Sequence, residues 1–172
     1  MSAHLASWQA EVDQLWSQFE SLRKDDFLAA MALLAQRDPN GGGQGAFELA
    51  SAHDALNRES AAVGLYRQSL QRTLPEATRR QAAIQLASSL RVVGELSESI
   101  ALLEREAAIS DGLTDAANAF LCLSLIDADR SAEAAARALL SLSKHLPSYR
   151  KSVANYASAA LESVSRPHDL ES

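Results

Sequence analysis

Residues Ala82–Glu106 read AAIQLASSLRVVGELSESIALLERE, two apolar helical patterns on either side of one glycine, Gly94. In the first pattern Ala83, Leu86, Ala87 and Leu90 recur at steps of three and four, the spacing of one helix face. Small Ala87 stands among the leucines, and Ser99 takes the equivalent place after the glycine, ahead of Leu103. Antiparallel helices approach closely only where facing side chains are small, so the stretch predicts a helical hairpin crossing at Ala87 and Ser99. Overfilling such a contact, as in Ala87→Leu, is expected to cost about 1–3 kcal/mol.

The same register recurs on both sides. Breaks at Asn57, Gly94 and Asp129 are spaced by 37 and 35 residues. Leu74-Pro75 and Leu146-Pro147 lie 72 apart, with Asp111-Gly112 near their midpoint. Proline suits the first turn of a new helix and glycine releases the chain from a finished one. Before the first break stand Ala46, Leu49, Ala50 and His53, with Ala62 and Tyr66 after it; around the third stand Asn118, Leu121, Cys122 and Leu125, then Ala134 and Ala138. Ala50 with Ala62 and Cys122 with Ala134 are therefore two more expected crossings, with Leu49, Leu86 and Leu121 filling the space beside them. The periodicity predicts helices near 45–56, 59–73, 76–92, 95–109, 113–127, 131–145 and 148–164, and no alternating strand pattern.

Nearer the start, Leu5, Trp8, Val12, Leu15, Phe19 and Leu22 form one amphipathic stripe with Trp16 beside it. Asp25 or Asp26 is placed to cap a second helix carrying Phe27, Leu28, Met31 and Leu34. The run DPNGGGQG, Asp38–Gly45, breaks the pattern and reads as a flexible linker. The expected organisation is an N-terminal helical extension at 1–37, a repeat array at 44–165 and a tail at 166–172. The N-terminal stripe has two uses: capping the exposed face of the first hairpin, or pairing with a second copy as a homodimer through residues 5–22.

This small-among-large register resembles the tetratricopeptide repeat, which sets a large residue, a leucine and a small residue on one helix and a small residue on the next. The resemblance covers roughly residues 44–147, with helix 148–164 as a terminal cap. FELASAHDALNRESAAVGLYRQSL, RRQAAIQLASSLRVVGELSESIALLE and HLPSYRKSVANYA, with DFLAAMALLAQ as a leading helix, are similar to divergent bacterial tetratricopeptide proteins of about three repeats. Several signature aromatics and the repeat-closing prolines are absent. The resemblance implies an all-α, α-α superhelical fold of about three hairpins, and a non-enzymatic module that binds a protein or peptide partner.

Composition fits this reading. Apolar residues make up 47% of the 172-residue chain, aromatics only 5%, and the formal charge is −6. Scarce aromatics with abundant alanine suit close-packed helices, and a spread negative charge argues against nucleic acid as a partner. A single cysteine, Cys122, precludes an intrachain disulfide and a thiolate zinc site. The opening MSAHLASWQAEVDQLW lacks the apolar run of a signal peptide, and no apolar run has the length of a membrane span, so a cytoplasmic location is the expectation.

Chemistry finds little purchase. His4, His53, His145 and His168 are scattered, with no pair one helical turn apart to hold a metal, and no cofactor is implied. His53 falls in a packing stripe and reads as a buried, satisfied histidine. NGGGQG is followed by no Lys-Ser or Lys-Thr, so it is no phosphate cradle. Arg72, Arg79, Arg80 and Arg91 form a modest basic cluster, read as solvated surface or an anchor for an acidic partner.

In repeat arrays of this kind the first helix of each hairpin lines a concave groove. The implied groove residues are Phe47, Ser51 and Asp54, then Gln81, Ile84, Gln85, Ser88 and Arg91, then Ala119, Phe120, Leu123, Ile126 and Asp127. Tetratricopeptide modules that clamp an acidic chaperone tail carry lysine, asparagine and arginine here. Phe47, Ser51, Gln85, Ala116 and Phe120 hold the matching places, so that clamp is missing. A mixed apolar and polar groove suits an amphipathic helix or an extended peptide.

Overall fold

The structure is a computed structural model that describes residues 3–165; the predicted tail at 166–172, with His168, lies outside them. Among the described residues there are nine helices and no strand: α1 (Ala3–Ser17), α2 (Lys24–Gln36), α3 (Gly43–Asp54), α4 (Glu59–Leu70), α5 (Glu76–Val92), α6 (Leu96–Ala107), α7 (Thr114–Asp127), α8 (Ser131–Ser143) and α9 (Arg150–Ser165). They fall into two compact units, one ending at Gly94 and one beginning at Glu95.

The three breaks of the sequence register share one backbone device. Asn57, Gly94 and Asp129 all take left-handed backbone, with φ of 55°, 87° and 59°, and the next helix begins two residues on, at Glu59, Leu96 and Ser131. At Asn57 and Asp129 the following amide closes the finished helix: Arg58 N–H donates to His53 O at 3.0 Å, and Arg130 N–H to Leu125 O at 2.8 Å. These bonds satisfy carbonyls that the helix end would leave orphaned.

In the first unit, α1 packs on α2, α2 on α3, α3 on α4 and α5, and α4 on α5. Trp8, Val12 and Leu15 of α1 are buried against Phe27, Leu28, Met31 and Leu34 of α2 and Ala52 and Leu56 beyond. The Trp8 indole N–H donates to Leu34 O at 2.8 Å, so the ring's one polar group is satisfied inside this core. Helix α1 ends at Ser17, short of Phe19 and Leu22, and a turn brings Phe19 edge-on to Phe27, with ring centroids 5.0 Å apart. Asp25 and Asp26 do not cap α2. Arg23 holds the cap position without a side-chain bond, and the two carboxylates sit in the first turn, where the helix dipole favours negative charge.

The glycine run departs from a simple linker. Helix α3 begins at Gly43, and both Gly43 and Gly45 are buried in its first turn. A Cβ on Gly45 would lie 2.4 Å from Ala35 O and 2.9 Å from Ala35 Cα, so only glycine lets α3 start this close to the end of α2. Asp38 then accepts from the Gly45 amide at 2.8 Å through Oδ2, capping α3 from outside the helix. Ser69 Oγ–H donates to Gly43 O at 2.9 Å, joining the end of α4 to the start of α3 as an antiparallel hairpin requires.

The small residues of the register face inward. Ala50 and Ala62 are fully enclosed on the paired α3 and α4, and Ala87 is enclosed on α5. In the second unit α6 packs on α7, α7 on α8 and α8 on α9. Ser99 of α6 and Ser124 of α7 share a buried hydroxyl–hydroxyl bond of 2.9 Å, while Cys122 Sγ–H donates to Ala134 O at 3.2 Å. That last contact is the Cys122–Ala134 crossing, close enough for a side chain of one helix to touch the backbone of the next. Ile100, Leu103, Leu121 and Leu125 fill the interior. Ala138, which aligns with Tyr66 and Leu103, is exposed.

Candidate functional site

Helix α3 carries Phe47, Glu48, Ser51 and Asp54, with Ala55 at its C-terminal cap; Ser51 lies three or four residues from each of the others, which sets them along one side of the helix. That side forms the floor of a cleft of about 470 Å3 in the first unit, completed by Tyr66 of α4, Gln85 of α5 and Trp16 of α1. Phe47 is largely buried beside Tyr66, with centroids 6.2 Å apart.

Polar atoms are threaded through this cleft. Tyr66 O–H donates to Gln85 Oε1 at 2.7 Å, and the Ser51 hydroxyl reaches the same oxygen at 3.0 Å. Asp54 accepts from Ser89 Oγ–H through Oδ1 at 3.1 Å and, more distantly, from Tyr66 through Oδ2 at 3.4 Å. Glu48 is only 9% exposed and accepts from the Trp16 indole N–H through Oε2 at 2.8 Å.

The two carboxyls are shifted the same way. Burial pushes Glu48 above the usual carboxylate range; the Trp16 bond works against this and nearby Asp13 adds to it. Burial also raises Asp54, opposed by the Ser89 and Tyr66 bonds and assisted by Glu59. Burial drives the Tyr66 phenol well above its ordinary value, so it remains a neutral donor.

Four of the groove residues expected from sequence, Phe47, Ser51, Asp54 and Gln85, line this one cleft. Gln81 is exposed and Ser88 and Arg91 are half-buried on α5, outside the cleft lining. Phe120, Leu123 and Asp127 belong to α7 of the second unit, where Leu123 and neighbouring Ile126 are 43% and 48% exposed. Glu48, Trp16, Tyr66 and Ser89 are absent from the groove set that the sequence implies. Three-four spacing from Ser51 could have found Glu48, but its partner Trp16 is 32 residues away and only folding joins them.

The remaining candidates are engaged elsewhere. Arg79 donates to Leu70 O and Arg72 O, both at 2.9 Å, closing the end of α4. Arg72 donates to Gly42 O at 3.1 Å, and Arg80 is buried. His53 is half-buried, and its Nδ1 has no hydrogen-bond partner, unlike the satisfied histidine expected; burial and Arg58 both hold its pKa down. Burial raises the Cys122 thiol, which disfavours a thiolate nucleophile. Among the described residues no three His, Cys, Asp or Glu side chains are grouped to hold a metal ion. Nor is any helix among them long and apolar enough to cross a membrane.

Helical hairpins such as α3–α4 and α7–α8, each released by a left-handed residue and packed through small side chains, mark a helical-repeat protein. The family model described as Tetratrico peptide repeat matches residues 43–160, from the first turn of α3 into α9, and the chain belongs to that family. Compared with curated proteins and with solved structures, it matches none. Family membership makes it a protein-interaction module by class.

Proposed function

We propose that the chain is a non-enzymatic, cytoplasmic adaptor that holds a peptide or helix of a partner protein on the exposed side of the first helices of its hairpins. The observation that carries this reading is the cleft of about 470 Å3 floored by α3 and walled by α5. It mixes aromatic surface, hydroxyls, an amide and carboxylates, the blend that fixes an extended or helical segment by a few polar contacts over apolar ground. In the second unit, Leu123 and Ile126 on α7 offer apolar surface to the same kind of ligand. Few aromatic or arginine anchors are on offer, so affinity is expected to be moderate.

Photo-crosslinking tests the reading. A benzophenone side chain at Gln81 of α5 or Leu123 of α7 should capture partner from lysate, whereas the same group at Gln68 of α4 or Arg105 of α6 should not; all four positions are exposed. Equal capture from both sets rejects the groove.

A further inference from the structure

We propose that the cleft of the first unit takes a cationic side chain, the arginine or lysine of a partner segment, as its anchor. This rests on the peptide-groove reading and assigns it a ligand chemistry.

Glu48 is nine-tenths buried and lines the cleft; among the described residues no donor reaches its Oε1, which is not sealed from solvent and so stays open to a ligand's donor. An ionised carboxylate has room for about four donors; this one receives a single indole N–H. Among the described residues neither Glu48 nor Asp54 joins an ion pair, although both line the same cleft. The cleft lining therefore holds two carboxyls and no basic side chain. Acidic neighbours add to this, Asp13 beside Glu48 and Glu59 beside Asp54.

The walls are suited to the same ligand. Half-buried Trp16 borders the cleft in front of the enclosed Phe47 and Tyr66, and an aromatic face attracts lysine and, more often, arginine heads. An anionic group would meet carboxylates on the floor. An apolar group would cover Glu48 and deepen the burial of an uncompensated charge, which is strongly unfavourable. A cation supplies donors for Glu48 Oε1 and the shared charge in one step. This is the reverse of an acidic-tail clamp, and the lack of basic groups along α3 and α5 inside the cleft follows from it.

Indole NMR provides the test, because the chain carries its own reference. The Trp16 N–H reports on Glu48, whereas the Trp8 N–H is bonded to Leu34 O in the core. N-acetyl-arginine amide or N-acetyl-lysine amide is titrated against the full chain, with the citrulline and norleucine amides as neutral counterparts. The expected result is a saturable shift of the Trp16 signal with the cationic amides only, with Trp8 unmoved. Glu48→Gln retains an oxygen for Trp16, and should weaken the response about tenfold or more; Asp54→Asn should weaken it less. The proposal is overturned if the neutral amides act equally, if Trp16 stays still to the solubility limit, or if Glu48→Gln binds like the native chain. Such a failure alongside successful crosslinking sinks the cationic anchor alone, whereas cationic binding without crosslinking sinks the partner groove.

Discussion

Glu48 shows how one side chain can serve binding at the expense of stability. Its carboxyl is raised chiefly by burial, so the folded state holds the proton more tightly than the unfolded chain does. Its contribution to stability is then greatest in acid, falls as pH climbs from the ordinary glutamate range through the raised folded value, and stays low above it. Glu48→Gln removes the charge and keeps an acceptor for Trp16. The variant should melt higher near pH 7, by about 2–4 °C if about 1 kcal/mol is recovered in a domain of this size. Thermal unfolding followed by circular dichroism at pH 7 and pH 4 checks this: the gain should shrink in acid, and a lower melting temperature at pH 7 contradicts it. Together with the arginine titration, one substitution should therefore strengthen the fold while weakening the site, the trade expected at a functional position.

At the scale of elements, left-handed residues follow α3, α5 and α7, at Asn57, Gly94 and Asp129. Asn57 and Asp129 set where the α3–α4 and α7–α8 hairpins turn, and so which small residues meet there. At Gly94 the space that a methyl group would fill is open, with nothing within 4 Å, so Gly94→Ala isolates the backbone effect at φ 87°. A loss of about 1–2 kcal/mol is expected from urea denaturation. Asn57→Gly, at φ 55°, should leave stability unchanged or raise it slightly, since glycine relieves the same strain. If Gly94→Ala unfolds at the native midpoint, the left-handed backbone at Gly94 places no energetic demand for glycine. Gly45 teaches the complementary lesson, because there the approach of Ala35 excludes a side chain, not the backbone angle.

Across the whole molecule, the first unit consumes the apolar stripe that a self-pairing helix would need. Trp8, Val12 and Leu15 are 3%, 0% and 8% exposed within the chain's own core. Removing residues 1–17 would strip cover from Phe27 and Met31 of α2, both now enclosed. Light scattering should therefore show greater self-association after truncation, since a newly bared apolar face seeks cover. A drop in mass on truncation would instead favour the α1-mediated homodimer. The second unit keeps its own interior, pinned by the Ser99–Ser124 bond and by Glu133, which Arg130 and Arg137 hold at 2.7 and 2.9 Å.

Local sequence determined the helices, the breaks at Asn57, Gly94 and Asp129, and the inward set of Ala50, Ala87 and Cys122, because periodicity and side-chain size act over a few residues. The resemblance to a helical-repeat family, not the local pattern, pointed to Phe47, Ser51, Asp54 and Gln85, which line the cleft on α3 and α5. Tertiary structure alone decided that α1 reaches Glu48 through Trp16, that Phe47 is largely buried beside Tyr66, and that Gly43 and Gly45 belong to a helix and not a linker. Those outcomes depend on which distant atoms arrive at the same place. Burial, the satisfaction of a buried carboxylate and the closeness of two backbones are properties of that meeting, and no window of the chain contains them.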